Sequence, residues 1–163
     1  PGSHIESETA TDGSGLGHMD MDYKKITLMP KDQPAGTLEI AGISSHWKHG
    51  LNEQKRNIAT VKTDIGPITA APELLPYAPI SMALDLAFEG NGPKPAAAQA
   101  EAASTPAPTE PKESVMTLNK FALTTKDSNL NATASFTASA TDIMPVGTAQ
   151  LNLTNVPDRK SVV

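Results

Sequence analysis

The stretch Ser44-Ser-His-Trp-Lys-His-Gly50 concentrates the residue types most often recruited for chemistry. It holds the single tryptophan and two of the four histidines, in the spacing His46-x-x-His49. Two imidazoles so spaced converge on a metal only where a helix or tight turn brings them together. A third ligand would have to come from Glu53, Asp64 or Glu73. On a strand, positions i and i+3 face opposite sides, so the rings would diverge. Glycines close to both ends point to a strand edge entering a hairpin. The stretch therefore reads as a hairpin end anchored by Trp47, and no metal is assigned. Trp47 itself has two readings. It is a core or rim anchor whose indole N–H seeks a carbonyl, or it grips a ligand or partner.

Other catalytic signatures are missing. The chain has no cysteine, which excludes a thiolate nucleophile, a thiolate metal site and a disulfide framework. No GxSxG nucleophile turn occurs, and Asp12-Gly-Ser-Gly-Leu-Gly17 matches no phosphate-cradling loop. Acids at Asp64, Glu73, Asp85, Glu89, Asp127, Asp142 and Asp158 are scattered over turns and polar faces, without visible pairing for acid–base work. No catalytic residue and no cofactor is assigned, and the chain is expected not to be an enzyme. Its formal net charge is -5, and no basic block appears. Lys55 and Arg56 beside Glu53 form an ordinary solvated turn. A nucleic-acid partner is not expected.

The elements that must position these residues are strands. Apolar residues make up 38% of the chain and aromatics only 4%, so burial must come from many small side chains in a thin, sheet-like layer. In Ile80–Gly90, Met82, Leu84, Leu86 and Phe88 alternate with Ala83, Asp85, Ala87 and Glu89. Leu130, Ala132, Ala134, Phe136, Ala138 and Ala140 alternate with Asn131, Thr133, Ser135, Thr137, Ser139 and Thr141. Ala149, Leu151 and Leu153 do the same against Gln150, Asn152 and Thr154. Between residues 114 and 127 the parity changes from Met116 and Leu118 to Phe121 and Leu123, which predicts a bulge near Asn119–Lys120. Earlier strands are expected around Ile26 and Leu28, around Leu38 and Ile40, and around Ile58 and Val61. Four prolines between Pro67 and Pro79 make a rigid link, with room for one helical turn at Pro72.

Two segments fall outside this pattern. Residues 1–19 are polar and Gly/Ser-rich, with Gly-Ser-His and Gly-His-Met resembling cloning scars, and read as an expression tag or disordered end. Residues 91–114 contain, prolines apart, no aliphatic residue larger than alanine and no aromatic, so they read as a flexible Pro/Ala-rich linker or loop. The segment 20–90 supplies N-terminal strands, and 115–163 supplies C-terminal strands that pair with them in one domain. The long loop either joins two half-domains or is inserted between neighbouring strands.

The expected fold is therefore all-β and mainly antiparallel. It is a meander of about seven strands forming a curved sheet, a small sandwich or a partial barrel, with a long disordered loop. Each strand has one polar and one apolar face, so the dry face needs cover. Either a second layer packs on it, or it remains an open groove completed by an apolar ligand or another protein segment. In the groove reading, Trp47, Leu84, Leu86, Phe88, Phe121, Ala134 and Phe136 are the candidate ligand-binding residues.

Leu130 to Asp142 and Pro145 to Val156 resemble the repeat unit of uncharacterised alphaproteobacterial periplasmic proteins with AsmA-like β repeats. The glycine usual after the Ala-Thr pair of that motif is here Ala134. The resemblance covers about half the chain. It implies a periplasmic or cell-envelope β protein, excised from a longer one, of a kind associated with phospholipid handling through apolar grooves. The expected function is a non-enzymatic envelope domain that binds a lipid or other apolar small molecule on its sheet face. The alternative is a structural module that recruits an envelope protein partner through an exposed sheet edge.

Overall fold

Side-chain alternation builds every element of the computed structural model, which describes residues 2–9, 17–29, 36–53, 56–90, 113–139 and 144–155. Ten strands follow one another: β1 (Ser3–Thr9), β2 (Gly17–Tyr23), β3 (Ile26–Leu28), β4 (Leu38–Ile40), β5 (Ile43–Leu51), β6 (Asn57–Ala70), β7 (Ile80–Gly90), β8 (Ser114–Thr124), β9 (Asn129–Ala138) and β10 (Val146–Thr154). They form one antiparallel sheet in the order β1-β2-β5-β6-β7-β8-β9-β10, with β4 pairing β6 and β3 pairing β4. The sheet is open and curved, and no second layer lies against it among the described residues. The all-β meander is as expected; of the proposed architectures, the curved sheet is the one found.

The strand count exceeds the expected seven for local reasons. β2 and β3 are one strand interrupted at Lys24–Lys25, and β4 and β5 are one strand interrupted at Ala41–Gly42. The Ala41–Gly42 interruption lies opposite Gly66–Pro67, where β6 shifts register against β7 between Ile65 and Ile68, and the Lys24–Lys25 interruption lies one strand further out, opposite Ala41–Gly42. Ala41 N–H donates to the Pro67 carbonyl at 3.0 Å and Gly66 N–H donates to the Gly42 carbonyl at 2.9 Å, so backbone bonds bridge the break. Gly66 has φ +117°, and a Cβ there would sit 2.8 Å from the Ile80 carbonyl oxygen. Only glycine takes both the backbone conformation and the close approach. Pro67 is thus absorbed into β6, whereas the sequence reading began the rigid link there. That link is shorter, and its Leu75 N–H donates to the Ala71 carbonyl at 3.0 Å in a single turn.

The first correction falls within residues 1–19. A disordered end is expected there, yet Ser3–Thr9 form β1 and Gly17–Met19 begin β2, paired from Ser3↔Tyr23 to Thr9↔Gly17, while residues 1 and 10–16 lie outside the described residues. The physical reason lies in Met19-Asp-Met-Asp-Tyr23, a strict alternation that continues across the presumed boundary. Ser44–Gly50 lies in β5 and leads into the β5–β6 hairpin, as expected, closed by Leu51↔Asn57 and by Asn52 N–H donating to the Arg56 carbonyl at 2.9 Å. A second correction concerns Trp47, which sits mid-strand between Met19 of β2 and Val61 of β6 and not at the hairpin end.

The predicted bulge is present. Asp85 opposes Lys120 while Leu86 opposes Leu118, and the β8–β9 register shifts between Leu118 and Phe121. One extra residue returns Phe121 and Leu123 to the face of Leu118 and Met116. β7 and β8 are direct antiparallel neighbours, from Ser81↔Thr124 to Glu89↔Val115. The Pro/Ala-rich segment is therefore an insertion between adjacent strands; residues 91–112 themselves lie outside the described residues, as do Ala140 and Thr141.

Candidate apolar ligand face

Directly opposed residues of an antiparallel sheet share a face, so the registers assemble the site row by row. One row is Met19–Trp47–Val61–Leu86–Leu118–Ala134–Ala149, crossing seven strands. Beside it runs Met21–Ser45–Thr63–Leu84–Phe121–Ala132–Leu151. On the other side lies Gly17–His49–Ala59–Phe88–Met116–Phe136–Gly147. A fourth row, Tyr23–Ile43–Ile65–Met82–Leu123–Leu130–Leu153, is apolar throughout apart from the tyrosine hydroxyl.

All seven candidate ligand-binding residues fall on this face, in three adjacent rows. Trp47, Leu86 and Ala134 share one row, Leu84 opposes Phe121, and Phe88 and Phe136 flank Met116. Sequence reasoning missed Met19, Met21, Val61, Leu118 and Leu151 among others. Strand parity would have found the last three, and Met19 was lost with the presumed tag. Seven strands at about 4.8 Å spacing make the face roughly 29 Å wide between outer strands. No hydrophobic side chain of the described residues is fully buried. The apolar side chains are half-covered by their in-sheet neighbours only. Ser45 Oγ and Thr63 Oγ1 lie 3.0 Å apart and satisfy one another, so this polar pair asks nothing of an overlying group. A hollow of about 380 Å³ opens on the face, lined by Phe88, Ser114, Met116, Phe136, Ala138 and Pro145.

His46 and His49 diverge, as strand geometry requires. His49 joins the apolar rows, its ring centroid 6.0 Å from that of Trp47. His46 points to the opposite face, where its Nδ1–H donates to Asp20 Oδ1 at 2.7 Å. That face carries the charges. Its central row is Glu6–Asp20–His46–Lys62–Asp85–Lys120. Lys62 Nζ lies 3.0 Å from Asp85 Oδ2, and Asn119 Nδ2 of the bulge donates to Asp85 Oδ1 at 3.0 Å. The Asn119 hydrogen bond first, then the Lys62 bond and charge, hold the Asp85 carboxyl below its ordinary value of 3.8. Its Oδ atoms are engaged by these partners, which suits a structural carboxylate. No group of three metal-ligating side chains forms among the described residues.

Arg56 departs from the solvated turn expected for it. It spans the β5–β6 connection to Glu89, with Nη1 3.3 Å from Oε1, and its Nη2 donates to the Glu113 carbonyl. It thereby ties the mouth of the insertion to a neighbouring turn. A larger hollow of about 690 Å³ opens on the charged side, bounded by His4, Asp22, Lys24, Asp64 and Lys120 among others. Its mixed charges leave the apolar rows as the only extended surface of uniform chemistry among the described residues.

Fold and face together define a class: a single-layer antiparallel meander with one charged and one uncovered apolar side. Comparison with family models, with curated proteins and with solved structures finds no match to this chain.

Proposed function

We propose that this chain is a non-enzymatic β domain of a bacterial cell envelope whose apolar face takes up the acyl portion of a lipid. The carrying observation is the set of apolar rows, seven strands wide, that no other layer covers among the described residues. Monomeric proteins seldom leave contiguous apolar patches of more than a few hundred Å² in water without a use for them. The chemistry of the rows is non-directional. Leucine, methionine, isoleucine and phenylalanine offer area without fixed hydrogen-bond demands, which fits methylene chains. Ala132, Ala134, Ala149 and Gly147 make one flank shallower, giving such a chain room beside the larger side chains. The resemblance of Leu130 to Val156 to AsmA-like envelope repeats agrees with this reading and supplies the periplasmic compartment.

The single tryptophan makes the test direct. Trp47 stands on the apolar face, so its emission should shift to the blue when delipidated protein takes up a fatty acid or phospholipid. Brominated acyl chains should quench it. Native mass spectrometry of protein purified from cells should show bound lipid. A delipidated chain whose Trp47 emission ignores fatty acids, phospholipids and sterols, with no co-purified lipid, would sink the proposal.

A further inference from the structure

We propose that β10 is a self-pairing edge, through which two copies of this chain join antiparallel into one continuous sheet. A sheet edge presents unpaired backbone groups, and natural proteins blunt it with charges, proline, bulges or short length. The other edges here carry such devices. β1 bears His4, Glu6 and Glu8, and β3 is three residues long behind Lys24 and Lys25. β10 carries none. Its nine residues, Val-Gly-Thr-Ala-Gln-Leu-Asn-Leu-Thr, contain no charge and no proline. It pairs β9 without a register shift. Val146 is 73% exposed, Leu151 72% and Leu153 53%, far more than the same rows show in the sheet interior.

The sequence of β10 is complementary to itself. Antiparallel pairing of all nine residues has one register, with Gln150 opposite its own copy on the twofold axis. That register sets Ala149 against Leu151 and Gly147 against Leu153 on the apolar face. On the polar face it sets Thr148 against Asn152, and Val146 against Thr154. Small residues meet large ones, amide meets amide, and no like charges are opposed. Gly147 already lies so close to β9 that a Cβ there would fall 2.1 Å from the Ser135 carbonyl oxygen. The Phe136 ring already crowds that position, 2.6 Å from it, so Leu153 of the second copy would meet Phe136 across the glycine. The apolar rows would then run without a break from one copy into the other. For β1 the equivalent arrangement would place Glu6 against Glu6. The contact is isologous, so it closes at a dimer.

This pairing does not depend on what the apolar face binds, and delipidated protein is used to test it. Sedimentation should show a concentration-dependent dimer. The chain lacks cysteine, so Gln150→Cys gives one thiol per copy, and a short bifunctional thiol reagent should link two copies through it. Ser3→Cys at the β1 edge should not link. Gln150→Lys and Gln150→Glu, both at an exposed polar-face position, should each weaken the dimer by about fivefold, and an equal mixture should restore it. Circular dichroism of each variant checks that the sheet is intact. A chain that stays monomeric at every concentration overturns the proposal. So does a dimer that links through Ser3→Cys in preference to Gln150→Cys, or one that is indifferent to the charge swap.

Discussion

Asp85 stands in the middle of the charged face, with Lys62 on one side and the bulge residue Asn119 on the other. Both partners favour its ionised form, so its folded pKa lies below the unfolded value. The stability it contributes is therefore complete above the unfolded pKa and is lost as pH falls through the folded one. Denaturant midpoints measured from pH 6 downward should decline more steeply below about pH 4 in the native chain than in Asp85→Asn. The difference should stay below about 1 kcal/mol, because the pair is partly solvated. An identical acid limb in both chains would refute the assignment. Sequence could show that Asp85 is on a polar face. It could not show its partners, since Lys62 and Asn119 come from strands on either side and Asn119 reaches Asp85 only because of the bulge.

At the level of elements, two local devices carry different consequences. The β6 break rests on Gly66, where φ is +117° and a Cβ would meet the Ile80 carbonyl and Ser81. Gly66→Ala should lower stability by about 1–3 kcal/mol in urea titration, through backbone strain and the close approach of the added Cβ to β7. A neutral result would mean the break relaxes freely. The insertion between β7 and β8 is a different case. Glu89 and Val115 already oppose one another, so the pairing does not need a long connection. Replacing residues 91–112 by a short Asn-Gly turn should preserve the β spectrum and a cooperative melt. A large loss of stability would show that the segment contributes to the fold. The β8 bulge was legible in the sequence because a parity change leaves a visible mark on apolar spacing. The breaks at Lys24–Lys25 and Ala41–Gly42 were not, because each is set by the neighbouring strand.

For the whole molecule, the uncovered face changes what a core mutation does. In a two-layer protein, Leu→Ala at a central apolar position costs about 2–5 kcal/mol, because a cavity remains. Leu86 has neighbours in the sheet but no overlying layer among the described residues. Leu86→Ala should therefore cost only about 1 kcal/mol in the delipidated chain. The cost should grow when an acyl ligand is present, since the ligand stabilises only the folded form it binds. Equal large losses in both states would indicate that another layer covers the face.

What the sequence determined by itself is the strand type and, from Ile80 onward, the parity of the strands and hence the two faces. Two-residue alternation is a local property, and it survives in any arrangement of the strands. Only the tertiary structure decided that the described strands lie in one sheet with no second layer among the described residues, because layer number depends on which strands neighbour one another. It also placed Ser3–Thr9 and Gly17–Met19 in the fold, since polar composition described that segment while pairing of β1 with β2, and of Gly17–Met19 with Trp47–His49, placed them. The His46–Trp47–His49 stretch shows both sides of this. Its sequence already said the two imidazoles diverge on a strand. Register alone placed one ring among the charges and the other beside the indole on the apolar face.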